Sequence, residues 1–425
     1  MNFNKRSFWV ITIGIASVGY LFSIATGSIG LMIIVLGWII NYKQIHFSKA
    51  NILTPLLMLC LFYLGIILCS LYSLDPHQAQ KEIVRFLSFI VFPIVFYLSP
   101  PLKLRERKTI LRIFIWSLLT FFLVCFIVAW KRQMVRWEGG SDFNWYFFYR
   151  YDFLEVFNQH PTYVSMFTLL ALSFMHFLPK SEAVFSSKTV LGIVTLNLSL
   201  AIILYGSRMG YVLYVLLGAI YTVRLLWRGK YKEFLNLLFL LGVMGLGAWN
   251  IPIVKERFLY TAGKNYDYKY NDKTEVIDGT PEKQGRLLLW QDTWELIEER
   301  PIVGYGTGAS KKMLLKKYQQ NGHTLFLREK YNAHNTYLEI TLWGGIPLLF
   351  AYILLLLTLL SWSHRKKDFV LFSFFLIIAI TGITETLFLA QGIMFFSFFI
   401  CFLTQKYFYN QGWEKIVGQN LKVGN

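Results

Sequence analysis

A succession of long apolar runs separated by short polar segments is the feature that most constrains this chain. A helix needs about 20 mostly apolar residues to cross the hydrocarbon core of a bilayer. The chain is 55% hydrophobic and only 16% charged, whereas roughly 25% of an ordinary soluble domain is charged. A soluble fold could not cover so much apolar surface, so the sequence predicts an all-α, polytopic membrane protein.

The runs and the basic residues between them predict a topology. About twelve transmembrane helices are expected. The first seven runs lie near 8–25, 28–42, 51–73, 84–99, 109–130, 161–178 and 189–205, and the eighth follows and ends near 227. The last four lie near 234–251, 337–360, 369–386 and 392–406. Lysines and arginines follow alternate runs, so the positive-inside bias assigns those segments and both termini to the cytoplasm. The same bias accounts for the formal net charge of +18, so no nucleic-acid partner is expected.

Two long polar segments fall on the outer side under this topology. Residues 1–251 are expected to carry helices one to nine, 252–335 one large outer loop domain, and 336–425 helices ten to twelve with a cytoplasmic tail. The other outer segment, 131–160, is rich in aromatic residues, which mark membrane interfaces. It is predicted either to lie on lipid headgroups or to contact lipid or sugar.

The cysteines also favour a membrane interior over a disulfide framework. All of them lie inside apolar runs and none shows a CxxC spacing, which predicts small buried hydrophobic side chains rather than disulfides or metal ligands. They are Cys60, Cys69, Cys125 and Cys401.

An outer arginine, Arg208, interrupts the apolar sequence between Gly206 and Gly210. An ionisable residue at membrane depth is costly and usually faces a cavity or a partner, and glycines on either side permit close approach. The alternative is an arginine at a helix end whose charge reaches the interface. Because an outer arginine runs against the positive-inside bias, we favour a functional role.

The late outer loop begins with a predicted amphipathic helix. Arg286, Trp290 and Trp294 recur at four-residue spacing, which puts them on one helical face. The helix should stop at Arg300-Pro301 because proline disfavours helical backbone in the residue before it. The motif GYGTG follows at 304–308. It resembles a phosphate-cradling loop, but no strand precedes it, so a tight turn is predicted.

A histidine, His334, stands at the entry to run ten, beside the amide of Asn335. Its proton can move near neutral pH, so it suits a general base. The alternative is a structural interfacial histidine. The outer histidines, which include His160 and His323, show no HExxH or HxxEH spacing, and the outer loops contain no DxD. No metal and no cofactor are therefore expected.

These segments together resemble the O-antigen ligase and polymerase superfamily of bacterial inner-membrane proteins. The resemblance is carried by GSRMG after a span, by GRLLLW followed by PIVGYGTG, and by AHNTYLEITLWGGIP entering a span. It is strongest over about 200–350 and elsewhere covers only the topology.

The resemblance implies a GT-C-like fold and a metal-independent glycosyltransferase in the inner membrane. The implied donor is a glycan on undecaprenyl diphosphate, and the implied active site is periplasmic, among membrane lipids. By motif position, Arg208 and Arg286 would hold the diphosphate and His334 would activate the acceptor hydroxyl. Asn335, Trp290 and His160 are further candidates for substrate binding.

Several functions remain open at this point. In the ligase branch of the family the acceptor is the lipid A–core, whereas in the polymerase branch it is another lipid-linked repeat unit. A protein O-oligosaccharyltransferase differs only in its acceptor. A transporter or flippase of lipid-linked sugar would also have many spans, but transporters often show internal duplication, which this chain lacks. We favour a ligase, because one dominant loop and the HNTYL entry resemble that branch.

Overall fold

The computed structural model describes residues 5–40, 55–99, 101–235, 242, 245, 249–255, 282–388 and 390–408. Within those ranges every regular element is an α-helix or a 3₁₀ turn, which confirms the all-α class. The helices up to the late loop are α1 Lys5–Phe22, α2 Ile24–Ile40, α3 Pro55–Ser70, α4 Pro76–Arg85, α5 Ser88–Tyr97, α6 Leu104–Glu138, α7 Arg150–Leu154, α8 Pro161–Phe177, α9 Lys188–Tyr205 and α10 Arg208–Trp227. The remaining helices are α11 Glu282–Glu299, α12 Ser310–Gln320, α13 Thr324–Glu329, α14 Thr336–Arg365, α15 Phe369–Thr381 and α16 Ala390–Phe408.

Four of the described helices, α6, α9, α10 and α14, are long and apolar enough to cross a membrane. Shorter apolar helices accompany them, at Arg6–Phe22, Ala25–Ile40, Leu57–Ser70, Pro161–Phe177, Phe369–Thr381 and Gly392–Tyr407. The count of about twelve spans and the GT-C-like architecture remain predictions. Most of run nine, predicted at 234–251, lies outside the described residues.

The run predicted at 84–99 corresponds to α5, which contains Pro93, and only its first residues belong to the preceding helix α4. Helix α4 ends at Arg85 and α5 begins at Ser88. Helix α4 has a well-defined start: the Asp75 carboxylate accepts a hydrogen bond from the Gln78 backbone N–H at 3.1 Å, and Pro76 occupies the first helical turn, where proline is favoured.

The outer segment predicted at 131–160 contains more helix than expected. Helix α6 continues to Glu138, and the aromatic stretch forms 3₁₀ turns at Trp145–Phe148 and Glu155–Phe157 on either side of α7. The aromatic side chains pack on one another, for example Phe143 stacked on Phe148 with centroids 5.4 Å apart. The predicted outer loop is therefore a set of short helical segments whose aromatic side chains pack on one another.

The described residues form two compact units. One comprises those within 1–20, 27–107 and 275–425, and the other those within 21–26 and 108–274. In the first unit, α14 packs against α3, α11 and α15, and α16 packs against α5 and α3. In the second unit, α8 packs against α9 and α10. The predicted division of the chain at 251 and 335 stays a prediction.

The glycine motif at 304–308 is a packing turn, as predicted. The backbone N–H groups of Tyr305 and Gly306 donate to carbonyls of α14 at 2.7 and 2.9 Å, and the N–H of Thr307 donates to the Cys69 carbonyl at 3.2 Å. A Cβ on Gly306, which has φ +89°, would lie 2.2 Å from Ser73 Cα. Because these amides are engaged within the protein and the turn is packed against α3, the motif cannot cradle a phosphate.

Helix α14 bends at Gly344 and Gly345. Gly345 adopts φ +65° and ψ −165°, a conformation that is essentially restricted to glycine. A Cβ at this position would lie 2.1 Å from the Ile302 carbonyl oxygen. The residues from Thr336 to Gly345 are buried or half-buried, whereas many side chains after the bend are exposed. The bend therefore separates a packed first part of α14 from a long apolar second part.

The cysteines are free, and three of the four are buried. Cys60 is half-buried, and Cys69, Cys125 and Cys401 are buried. The prediction of small hydrophobic side chains without disulfides is confirmed.

Candidate functional site

A buried carboxylate, Glu385, joins two of the predicted site residues within the first unit. Its Oε1 lies 3.1 Å from Arg286 Nη2, and its Oε2 lies 3.5 Å from His334 Nδ1. The Glu385 side chain is 8% exposed, against 43% for Arg286 and 27% for His334. The carboxylate therefore lies beneath the guanidinium and the imidazole, and both of those groups have surface open to a substrate.

Arg286 is positioned by the first turns of α11. The same helix buries Leu289, Leu296 and Ile297 in the hydrophobic core of the late loop. This apolar stripe fixes the rotation of the helix, because burying each such side chain stabilises one orientation by about 1.5–3 kcal/mol. The helix ends at Glu299, directly before Arg300-Pro301, as the sequence predicted.

A second contact set holds α11 against the end of α12 and the start of α13. The buried Asp292 carboxylate accepts a hydrogen bond from Asn321 Nδ2 at 2.6 Å, and its other oxygen lies 2.6 Å from His323 Nδ1. The His323 ring also packs edge-on against Phe326. These contacts satisfy a carboxylate that would be costly to bury without partners, and they give His323 a structural role.

His334 lies in a strained turn directly before α14. Its backbone has φ +45°, which is uncommon for a residue other than glycine. Its N–H donates to Asn332 Oδ1 at 2.9 Å, and its ring packs edge-on against Tyr331 at 5.6 Å. Asn335 then caps α14, because its Oδ1 accepts from the first backbone N–H groups of that helix at 2.9 and 3.1 Å. The turn and the cap thus fix His334 directly before α14.

Glu385 is held by the hydroxyl of Thr336. This fully buried hydroxyl donates to the Glu385 carbonyl at 2.7 Å and accepts from the Leu387 N–H at 2.9 Å. The Thr336 N–H donates to the Gly382 carbonyl at 2.8 Å. The turn that follows α15 is thereby fixed to the first turn of α14, which brings the Glu385 carboxylate next to His334.

The other predicted residues of the late loop have structural contacts of their own. Trp290 packs against the loop core, and its indole N–H is buried without a hydrogen-bond partner among the described residues. Trp294 is exposed, and its N–H donates to Glu298 at 2.7 Å. Asn335 engages its Oδ1 as a helix cap. Substrate binding by Trp290 and Asn335 stays a prediction.

Arg208 and His160 belong to the second unit. Arg208 is the first residue of α10, directly after the capping residue Ser207. His160 caps α8: its Nδ1 accepts from the Thr162 N–H at 3.3 Å, and its Nε2 lies 3.0 Å from the Tyr151 hydroxyl. Both residues thus stand at helix N-termini, where the helix dipole favours anions. Their roles in holding substrate stay predictions.

Metal-ligating side chains do not gather in the part of the chain that the structure describes. There, no three histidines, cysteines, aspartates or glutamates come together in a way that could hold a metal ion. The groups available at the site are the guanidinium, the imidazole and the carboxylate between them.

Sequence reasoning missed Glu385. The prediction placed it inside run eleven, at 369–386, and treated it as part of an apolar span. The helix in fact ends at Thr381, and Glu385 lies in the turn that follows. A lone carboxylate within an apolar run is the kind of residue that usually has a partner or a function, and this signal could have identified it.

Comparison with known protein families matches a central part of the chain. Residues 193–353 match the family described as O-Antigen ligase, and this region contains Arg208, Arg286 and His334. No curated protein matches the chain. Members of the matched family are membrane glycosyltransferase-like enzymes of bacteria that act on lipid-linked glycans. Over residues 193–353 the chain is therefore similar to the O-antigen ligase family, which supports the resemblance to the O-antigen ligase and polymerase superfamily.

Proposed function

We propose that this chain is an O-antigen ligase, which transfers a glycan from undecaprenyl diphosphate to the lipid A–core on the periplasmic face of the inner membrane. The observation that carries the proposal is the contact of one buried carboxylate, Glu385, with both Arg286 and His334. This contact keeps an anion-binding group and a proton-accepting group side by side.

Arg286 serves the leaving group in this proposal. One Nη2–H is directed to Glu385 at 3.1 Å, and a guanidinium has five N–H donors in total. The remaining donors are directed to diphosphate oxygens by charge-assisted hydrogen bonds, which are about twice as strong as neutral ones. They stabilise the charge that develops as the carrier diphosphate departs, a task that other enzymes assign to a metal ion.

His334 serves the acceptor. Its Nδ1 faces the Glu385 carboxylate, which favours the tautomer with the proton on Nδ1 and leaves Nε2 as the base. The acceptor oxygen attacks the anomeric carbon, its proton passes to Nε2, and the bond from that carbon to the diphosphate oxygen breaks. Such general-base assistance contributes about 10²–10⁴-fold to a rate. Attack opposite the leaving group inverts the anomeric centre.

Arg208, in the second unit, is a separate candidate for binding the donor. As the first residue of α10 it combines a guanidinium with a helix N-terminus, and both features favour a phosphate group. In the proposal its role is to bind phosphate oxygens of the donor.

Deletion of the gene followed by gel analysis of the lipopolysaccharide tests the proposed function. A ligase predicts core without polymer and accumulation of polymer on the carrier lipid. Core that carries a single repeat unit would instead identify a polymerase. An unchanged gel would contradict both activities.

A matched pair of substitutions tests the site. Arg286→Ala should abolish transfer, whereas Arg328→Ala, at an exposed arginine of the same loop, should keep it. The protein level and melting temperature of each variant in detergent show whether it has folded. Full activity of a folded Arg286→Ala variant would contradict the proposed role.

The reaction should also run in EDTA, and loss of activity that Mg²⁺ or Mn²⁺ restores would contradict a metal-independent mechanism.

A further inference from the structure

An exposed apolar tip projects from the late loop between α11 and the glycine turn. It consists of Ile302 and Val303, which are 68% and 57% exposed. Two adjacent β-branched apolar side chains facing water cost free energy, at about 25 cal/mol for each Å² of apolar surface. Their exposure therefore indicates that an apolar partner covers both side chains when the protein is in its native environment.

The tip is held in place by its backbone. The Pro301 carbonyl accepts a hydrogen bond from the Ile346 N–H at 2.8 Å. The Val303 carbonyl accepts one from the Tyr72 hydroxyl at 2.7 Å. Because these bonds fix the main chain on both sides of Ile302, the two side chains point outward as part of a rigid turn.

The tip adjoins the surface of α14 that begins after the bend. The residues of α14 from Thr336 to Gly345 are buried or half-buried, but Ile346 and Phe350 are exposed by 55% and 64%. Helix α14 is long and apolar enough to cross a membrane, so its exposed apolar face is the face that meets lipid. The hydrogen bond from Ile346 places the tip at the level where that face starts.

The end of α3 extends the same apolar surface, and cations lie around it. Leu68 and Leu71 are exposed on the last turns of α3 and just after it. Arg300 is exposed directly before the tip, and Lys312 donates to the Leu74 carbonyl at 3.1 Å. The charges at the rim are mixed, because the exposed acids Glu298 and Glu299 directly precede Arg300. The exposed apolar side chains therefore carry the match to a bilayer, where acyl chains lie below the headgroups.

We propose that Ile302 and Val303 insert among the phospholipid acyl chains of the leaflet next to the loop, and so fix the height of the loop above the bilayer. The bend in α14 then marks the edge of the hydrocarbon core. The first part of α14, from Thr336 to Gly345, rises by about 14 Å at 1.5 Å per residue. The headgroup region of one leaflet is only about 5–8 Å thick.

The insertion has a consequence for the site, which rests on the proposed function. Arg286, His334 and Glu385 meet beside the start of α14. Because a rise of about 14 Å exceeds a headgroup thickness of about 5–8 Å, they stand outside the hydrocarbon, at or beyond the outer limit of the headgroups. A donor diphosphate that reaches them remains hydrated and close to the membrane surface, while its polyprenyl chain stays in the bilayer.

Nitroxide depth measurements test the insertion in the full chain in phospholipid nanodiscs. The variant Ile302→Cys is spin-labelled, and its collision rates with oxygen, which concentrates in hydrocarbon, and with a nickel chelate, which stays in water, are compared. Phe350→Cys provides the lipid reference on α14, and Gln319→Cys, exposed on α12, provides the water reference. The parent chain, labelled in parallel, corrects for its own cysteines.

The ratio of oxygen to nickel collision rates at position 302 should match that at 350 and exceed that at 319 several-fold. A ratio at 302 equal to that at 319 would overturn the proposal, because the tip would then lie in water or against a partner absent from the nanodisc. If Ile302→Cys fails to fold, Val303→Cys gives the same measurement. The result does not depend on catalysis, so failure of the insertion and failure of the proposed function can be told apart.

Discussion

Replacing Glu385 by glutamine tests the reasoning about the site most directly. Glu385→Gln preserves the size of the side chain and removes its charge. Arg286 then loses its anionic partner at 3.1 Å, and His334 loses the acceptor that faces its Nδ1 at 3.5 Å. An amide can also present an N–H to the imidazole, which favours the wrong tautomer. We expect a folded protein with much slower transfer.

The size of the effect follows from burial. A hydrogen bond to a charged group contributes about 1.5–3 kcal/mol when shielded from water, and an exposed ion pair about 0–1 kcal/mol. The Glu385 side chain is 8% exposed and that of Arg286 is 43% exposed, so this pair falls between the two cases, at roughly 1–2 kcal/mol. Each 1.4 kcal/mol changes a rate about tenfold. With the added loss at the histidine, transfer should fall about 10-fold to 100-fold.

The assay is transfer from purified lipid-linked donor to acceptor, by the variant in detergent or nanodiscs. Glu298→Gln is the matched control, because Glu298 is an exposed acid on α11 that bonds to Trp294. It should keep full activity. Activity of folded Glu385→Gln within about twofold of the parent would refute the reasoning, because it corresponds to less than 0.5 kcal/mol.

Three further predictions concern stability and can be checked by melting in detergent. Thr336→Val removes a buried hydroxyl and leaves a backbone N–H without its acceptor, which should cost about 1–3 kcal/mol and slow transfer as well. Gly345→Ala forces a Cβ to within 2.1 Å of the Ile302 carbonyl oxygen, at a backbone conformation that alanine avoids, and should prevent a stable fold. Burial raises the pKa of Asp368, but Lys406 at 2.8 Å, together with hydrogen bonds from the Tyr407 hydroxyl and the Leu371 N–H, outweighs burial and holds the pKa below its usual value. This contribution to stability is present above the unfolded pKa of about 3.9 and is lost as the pH falls through the lower folded pKa, so the melting temperature should drop below about pH 4.

Each of these predictions has a matched control. Thr341→Val removes a hydroxyl that donates to the Tyr337 carbonyl four residues earlier in its own helix, so it should cost less than Thr336→Val. Gly192→Ala adds a Cβ with no atom within 4 Å and should not destabilise its helix. Asp368→Asn keeps the side-chain cap of α15, and it should reduce the drop in melting temperature below about pH 4. An equal loss of stability in both threonine variants, or in both glycine variants, would contradict the argument for that pair. An Asp368→Asn variant whose melting temperature falls with acid as much as that of the parent would contradict the argument for Asp368.

Much of the helical structure could be predicted from the sequence, because helix ends depend on near neighbours. The helix predicted near 161–178 is Pro161–Phe177, and the late-loop helix ends at Glu299, before a proline. The site was predicted in part. Arg286 and His334 meet at one carboxylate, but that carboxylate was taken for part of a span because hydropathy averaged over a window hides a single charge.

The sequence by itself determined the all-helical, membrane-embedded class, the tight glycine turn and the presence of cationic groups on one loop. Each of these depends on composition or on residues close together in the chain. The tertiary structure alone decided that Arg286 meets Glu385, which is 99 positions away, and that the first part of α14 is packed into the protein before the bend at Gly345. Such pairings depend on how distant helices pack, because a buried charge is stable only where the fold supplies its partner.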